Sequence, residues 1–235
     1  MRIEGAVALV TGANRGLGRA FVEGMLAAGA RKVYAAVREP DRIAIPGVEK
    51  VRLDVTRPDE VAAAAARCGD VTLLVNNAGI LQPSALLAAG GLDAARAQLE
   101  TNFFGTLAMC SAFAPVLGAN GGGAVINVLS ALTWFSLPTT GTYGASKAAA
   151  WALTNGIRNE LRGQGTRVLA LHSAFIDTDM AKSVAAPKST PEDVVRQTLE
   201  ALAAGSDEVL TDETTRLLKR GLNAEPPAYT RASLS

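Results

Sequence analysis

Short β-branched apolar runs alternate with longer stretches of helical periodicity from one end of the chain to the other. Ala6 to Val10 reads as a buried strand, followed by a glycine-rich turn and a helix from about Gly16 to Ala28. Lys32 to Val37 and Val48 to Val55 read as the second and third strands. Pro58 to Cys68 is alanine-rich, with Pro58 suited to a first helical turn. Val71 to Val75 is continuously apolar, as a strand covered on both faces requires. Leu92 to Leu117 reads as one long helix, Ala124 to Leu129 as a strand, and Tyr143 to Arg162 as a helix with an apolar stripe through Ala150, Leu153, Ile157 and Leu161. Arg167 to Leu171 is a strand, Pro191 to Ala204 a helix, and Glu208 to Leu210 a last short strand. The helix-breaking run Asn223-Ala224-Glu225-Pro226-Pro227 marks residues 223–235 as an extended surface arm.

This alternation predicts βαβ units with right-handed crossovers, hence a doubly wound α/β fold with seven parallel strands and helices on both faces. With 235 residues and no internal linker, one domain spanning 1–235 is expected, large enough to bury its own core. A net charge of +1 and 49% hydrophobic residues describe an ordinary globule and argue against nucleic acid as a partner. Cys68 and Cys110 fall on predicted helices without metal-ligand spacing, and the single histidine, His172, cannot make a metal site alone. The start Met1 to Gly5 lacks a basic-then-apolar leader, and no apolar run is expected to reach membrane-spanning length. Together these point to a cytoplasmic protein with no metal and no membrane partner.

The first strand–helix turn carries Thr11-Gly12-Ala13-Asn14-Arg15-Gly16-Leu17-Gly18. Glycines there permit a tight turn and close backbone approach to a pyrophosphate, and the helix start offers free N–H groups. This is the Rossmann-like arrangement of a dinucleotide site. At the end of the second strand an acidic side chain would accept from a ribose 2′-hydroxyl, whereas an arginine would pair with a 2′-phosphate. Arg38 stands there, with Arg15 in the loop, so NADP(H) is preferred and NAD(H) remains possible, Glu39 being the complication. Asp54, after the third strand, is placed either to hydrogen-bond an adenine amino group or to cap a helix.

Tyr143 and Lys147 lie four apart on a predicted helix and so share one face. A free phenol titrates near pH ~10, too high for acid–base work at neutral pH. A neighbouring ammonium is expected to lower that value and make Tyr143 a proton donor and acceptor. Ser130, ending a buried strand, can hold a substrate oxygen as it gains charge. Taken alone, such a Tyr and Lys are usually just a packed aromatic and a surface cation.

With Asn76-Asn77-Ala78-Gly79 after the fourth strand and Asn102 on the following helix, the order of these elements resembles the short-chain dehydrogenase/reductase family, in its smaller single-domain branch. The similarity runs from near the N-terminus to about Leu210. It implies that Tyr143 is the general acid for carbonyl reduction and the base for alcohol oxidation. It also implies that Lys147 tunes Tyr143 and holds the nicotinamide ribose, that Ser130 orients the substrate oxygen, and that Asn102 keeps a water in a proton relay. The resemblance further places Gly12, Asn14, Arg15, Gly16, Leu17, Gly18, Asn77, Ala78 and Gly79 around the cofactor, with Val55 beside the adenine and Ile176 and Thr178 on the carboxamide and diphosphate. His172-Ser173-Ala174 departs from the family's Pro-Gly after the sixth strand. His172 itself reads as a packed or partly exposed strand-end residue.

Candidate pocket walls are Leu81, Gln82, Leu132, Trp134, Phe135, Leu137, Phe175 and Met180, the cluster before Tyr143 serving equally as core packing. With no fixed cation among its members, an apolar ketone, aldehyde or secondary alcohol is the expected substrate. Met180 to Ser189 reads as a short mobile lid. The alanine-rich outer face of the Tyr143 helix and Phe103, Phe104 and Met109 before it lean toward a homodimer or homotetramer. Alternatives are a 3-oxoacyl-thioester reductase, which would place cations at the pocket mouth, and a dinucleotide sensor without catalysis.

Overall fold

Seven strands form one parallel sheet: β1 (Val7–Thr11), β2 (Lys32–Val37), β3 (Glu49–Arg52), β4 (Leu73–Asn76), β5 (Ala124–Val128), β6 (Arg167–His172) and β7 (Glu208–Leu210). Their spatial order is β3-β2-β1-β4-β5-β6-β7, every neighbouring pair parallel. The expected doubly wound fold is therefore the observed one. The computed structural model describes residues 1–230.

The helices are α1 (Gly16–Ala27), α2 (Pro58–Arg67), α3 (Gly91–Leu99), α4 (Thr106–Ala119), α5 (Gly141–Leu161), α6 (Pro191–Ala204) and α7 (Glu213–Arg220). Alternate residues of each strand point to opposite faces, so an unbroken apolar run supplies two cores. Ala8, Val10, Val33, Ala35, Val75 and Ile126 meet Leu17, Phe21 and Met25 of α1 and Val194, Val195 and Leu202 of α6. Val7, Leu9, Leu74, Val125 and Val168 meet Val61 of α2, Met109, Phe113 and Leu117 of α4, and Ile157 and Leu161 of α5.

The chain reverses its winding between β1 and β4. Connections on one side run toward β3 and on the other toward β7, leaving a crevice beyond the C-terminal ends of β1 and β4. The two edges differ in chemistry: β3 leaves Glu49, Lys50 and Arg52 exposed around a buried Val51, and β7 is three residues long.

Three expectations need correction. The single helix from Leu92 to Leu117 is α3 and α4 joined by a π-helical segment, Glu100–Gly105, which widens the backbone around Asn102. The helical run Gly91–Ala119 is also long and apolar enough, by length and composition, to cross a membrane, because no charge occurs after Glu100. Within the fold it buries Met109, Cys110, Phe113 and Leu117 against the sheet. The third concerns the C-terminal stretch. Asp212 caps α7 through the Thr215 N–H at 2.8 Å, and the chain then folds back in short turns at Gly221–Asn223 and Ala228–Thr230 instead of extending. Ala228 is buried with Trp134, Phe135 and Leu218. The rest of the expected arm, 231–235, lies outside the described residues.

Truncating a fully buried side chain removes its transfer energy and leaves a cavity. Phe113→Ala should therefore lower unfolding free energy by about 3–5 kcal/mol in denaturant titrations, and a loss under about 1 kcal/mol would contradict the packing described.

Candidate active site

The glycine turn after β1 is fastened to the segment after β4. The Thr11 hydroxyl accepts from the N–H groups of Asn77 and Ala78 at 3.0 and 2.9 Å. The Asn77 amide donates back to the Thr11 carbonyl at 2.8 Å and the Gly12 carbonyl at 3.3 Å. A Cβ on Gly18 would collide with the Gly12 carbonyl oxygen, and one on Gly12 would crowd Ala78 and Asn77 at 3.1 Å. Gly12 and Gly16 also take positive φ values of 65° and 51°. α1 begins at Gly16 without any side-chain cap or acidic residue in its first turn, so its free N–H groups face the crevice. Asn14 and Arg15 are exposed above it, while Leu17 packs beneath. Such a cradle fits a pyrophosphate.

At the far end of the crevice Arg38 is exposed and has no ion pair among the described residues. The complication posed by Glu39 is absorbed locally, since its carboxylate pairs with Arg42 at 2.7 Å. Asp54 accepts from the Thr56 N–H and hydroxyl at 3.0 and 2.7 Å, forming a turn; Arg57, not Asp54, stands at the cap position of α2. Burial pushes the Asp54 carboxyl up, but the Thr56 bonds together with Arg38 and Arg57 outweigh it and leave it below its ordinary value. Val55 packs on Gly105, where a Cβ would strike its side chain at 2.6 Å.

Tyr143 and Lys147 project from α5 toward the middle of the crevice, 8% and 5% exposed. The Lys147 ammonium donates to the Val128 carbonyl at 2.9 Å and lies 5.7 Å from the centre of the Tyr143 ring. Asn102 is buried; its amide donates to the Ile80 carbonyl at 3.0 Å and the Ser146 hydroxyl at 2.9 Å, and its oxygen accepts the Ile80 N–H at 2.9 Å. A Cβ on Gly79 would come 3.2 Å from the Asn102 oxygen and 3.7 Å from the Lys147 nitrogen, so these three positions converge. Ser130 ends the extended backbone of β5, where its hydroxyl accepts the Leu132 N–H at 3.1 Å and lies against the Tyr143 phenol.

The electrostatic expectation is reversed. Burial pushes the Tyr143 phenol up to about 12, the Ser130 hydroxyl offsetting only part of the rise. Burial likewise pulls Lys147 down to about 8. Both charged forms have lost their hydration, and that loss exceeds any attraction between them. At neutral pH Tyr143 is thus a protonated donor.

Ser173-Ala174, where the family's Pro-Gly is missing, is held from α7. The Asp212 carboxylate accepts the Ala174 N–H at 2.7 Å and the Ser173 hydroxyl at 3.3 Å, and the Ser173 carbonyl accepts the Ala131 N–H at 2.9 Å. The chain then carries Thr178 over the glycine turn, beside Gly16, while Ile176 packs against the core. Arg15 pairs with Asp179 at 2.7 Å, both about 70% exposed. A polar cleft next to this pair is lined by Asp177, Thr178, Asp179, Lys182 and Lys188. The expected lid, Met180 to Ser189, closes on its own base through bonds of Ser189 to Phe175 and Asp177, leaving Met180 exposed.

Among the expected pocket walls, Leu81, Leu132, Leu137 and Phe175 are partly exposed and Gln82 is exposed. Trp134 and Phe135 are buried against Leu218 and Ala228. His172 is fully buried rather than partly exposed, stacked on Trp134. Four polar residues of this region carry no motif signal: Gln98, which bonds Gln82 and Thr142, Ser146, Glu208 and Asp212. Only Asp212 had a readable cue, as a helix-capping type before Glu213.

The family model for short chain dehydrogenases matches residues 6–189. A solved short chain dehydrogenase from Burkholderia cenocepacia, in complex with NADP, is 45% identical with a TM-score of 0.93, covering 96% of each chain. A 3-oxoacyl-[acyl-carrier-protein] reductase from Vibrio harveyi is 31% identical over 78% of this chain and 79% of its own. A farnesol dehydrogenase from Aedes aegypti is 30% identical over 83% of each.

Because Lys147 sits below its unfolded value of 10.5, the unfolded chain binds this proton more tightly between pH 8 and 10.5. Its cost to stability is full below pH 8 and disappears as pH rises through that window. Lys147→Met should raise unfolding free energy at pH 7 by about 1–3 kcal/mol, with the gain shrinking toward pH 10.5. A gain that does not vary across the window would show that desolvation of the ammonium is not its source.

Proposed function

Since the chain belongs to the short-chain dehydrogenase family and is an oxidoreductase of that family, we propose that it interconverts apolar ketones or aldehydes and alcohols with NADP(H). The observation that carries this reading is the convergence of a buried, protonated Tyr143, the Ser130 hydroxyl and Lys147 beside an uncapped helix and glycine cradle. The whole of 1–235 then works as one dinucleotide-binding oxidoreductase domain.

When bound, the nicotinamide supplies or accepts the hydride. Gly12, Asn14, Gly16, Leu17 and Gly18 cradle the diphosphate, with Thr178 beside them. Asp54 and Val55 face the adenine, Arg38 and Arg15 receive the 2′-phosphate, and Asn77, Ala78, Gly79 and Ile176 line the nicotinamide end. In reduction, Ser130 holds the carbonyl oxygen as it becomes negative, and the Tyr143 hydroxyl donates its proton there. A phenol titrating near 12 is a stable donor at neutral pH, and an alkoxide is basic enough to take its proton. In alcohol oxidation the same oxygen must first lose a proton, so that direction gains from alkaline conditions. Lys147 and Asn102 share the space around Gly79, and there they hold the ribose and relay the replacement proton toward solvent.

NADP(H) is supported by the unpaired Arg38, by capture of Glu39 on Arg42, and by the NADP complex of the Burkholderia relative. NAD(H) remains usable, because the remaining contacts do not involve a 2′-phosphate. Apolar substrates are supported by Leu132, Leu137 and Phe175 at the wall and by the farnesol dehydrogenase relative. A 3-oxoacyl-thioester reductase is the second reading, favoured by the Vibrio relative. Against it, Lys188 at the cleft is matched by Asp177 at 3.7 Å. Half-exposed Phe104 and exposed Ala152 support a homodimer or homotetramer through the central helices.

Three measurements test the reading. A panel of acetophenone, cyclohexanone and acetoacetyl thioesters with NADPH should favour the simple ketones in kcat/KM; a preference for the thioesters selects the second reading. Tyr143→Phe should abolish nearly all turnover while NADPH binding, read by fluorescence, persists; wild-type activity in that variant would refute the assignment. Arg38→Ala should weaken NADP(H) by about 10- to 100-fold with little effect on NAD(H), as loss of a charge-assisted bond predicts.

A further inference from the structure

Ser130 is reached from behind by a polar chain, buried at His172 and partly exposed at Glu208 and Lys219, that the reaction does not touch. The His172 ring, fully buried at the end of β6, sets Nδ1 3.2 Å from the Ser130 carbonyl oxygen. Its Nε2 faces the Glu208 carboxylate of β7 at 3.4 Å. Glu208 is held in turn by the Lys219 ammonium of α7 at 2.9 Å. The ring stacks on Trp134, centres 4.1 Å apart and planes 21° from parallel, and Lys219 lies 4.7 Å over the same indole. Burial pushes the Glu208 carboxyl up, but bonds from His172 and Lys219 outweigh it and hold it down at about 2. Glu208 is therefore a fixed anion at neutral pH.

A ring stacked on Trp134, with Nδ1 at the Ser130 carbonyl and Nε2 facing the Glu208 carboxylate, has one orientation. Leu129 and Ala131, on either side of Ser130, are tied by their N–H groups to the carbonyls of Leu171 and Ser173 at 2.7 and 2.9 Å. The Ser130 peptide between them is met instead by the His172 side chain and by the Thr133 N–H at 3.2 Å. Turning that peptide would carry the Ser130 hydroxyl away from the phenol.

We propose that His172, anchored by Glu208, is a positioning residue that holds the Ser130 peptide so that its hydroxyl stays against Tyr143 where the substrate oxygen is received. The assignment rests on the roles given above to Ser130 and Tyr143. It also gives the β7–α7 segment a part in turnover, although none of its residues touches the reacting atoms.

A residue that only fills the core would cost stability and leave turnover of the folded protein intact. His172→Phe keeps ring and volume but cannot bond the Ser130 carbonyl, whereas His172→Asn places an amide N–H where Nδ1 stands. In acetophenone reduction with NADPH, His172→Phe should lower kcat by about tenfold or more, with NADPH affinity nearly unchanged. His172→Asn should recover most of that loss. Glu208→Ala should lower kcat in the wild-type background and add little in the His172→Phe background. If His172→Phe does not fold, His172→Asn should still outrun His172→Gln, whose amide reaches from the Nε2 position. Wild-type kcat in folded His172→Phe, or Asn no faster than Phe or Gln, overturns the proposal. A wild-type enzyme inactive on every ketone of the panel, or as slow as Tyr143→Phe, defeats the parent reading and takes this inference with it.

Discussion

The interlock between Thr11 and Asn77 sets the shape of everything that follows. Where the winding of the sheet reverses, β1 and β4 send their chains in opposite directions, and a gap must open beyond them. One hydroxyl accepting two N–H groups and one amide donating to two carbonyls hold the gap at a fixed width. The glycines can then approach without a side chain intervening. The Gly79 end of the same segment reaches Asn102 and Lys147, so the glycine turn and the Tyr143–Lys147 pair share one scaffold.

Buried polar side chains carry this scaffold onward by bonding to partners in other elements. Asn102 links the segment after β4 to Ser146 of α5, and Ser146 donates to the Tyr143 carbonyl at 2.8 Å. Gln98 joins α3 to Gln82 and to Thr142 of α5. In a low-dielectric interior such bonds fix orientation more than they add stability. The π-helical turn at Glu100–Gly105 is what presents Asn102 to Ile80 and lets Gly105 lie against Val55.

Much of this was legible in the sequence because local and global preferences agree. Lys32–Val37, Pro191–Ala204 and Glu208–Leu210 have the predicted bounds: a β-branched run, a proline start and a glycine stop mark them. The order of Thr11, Asn77, Asn102, Ser130, Tyr143 and Lys147 was likewise readable, and the fold brings them to one crevice. What escaped depends on contacts between distant segments. The π turn leaves no mark in residue type. α7 has two leucines in eight residues, too few to show a period. The protonation balance of Tyr143 and Lys147 reflects desolvation by several elements at once, which a four-residue spacing cannot report. Asp212 lies 38 residues beyond Ala174, and only the folded chain shows that it takes over from a missing Pro-Gly.

The two borders of the sheet also govern how copies of the chain meet. A strand with unsatisfied amides invites a second molecule to zip onto it, and repeated zipping yields insoluble fibres. Here one border exposes one acidic and two basic side chains, and the other is too short to template a ladder. Both borders thereby disfavour the open-ended growth that repeated backbone pairing would allow.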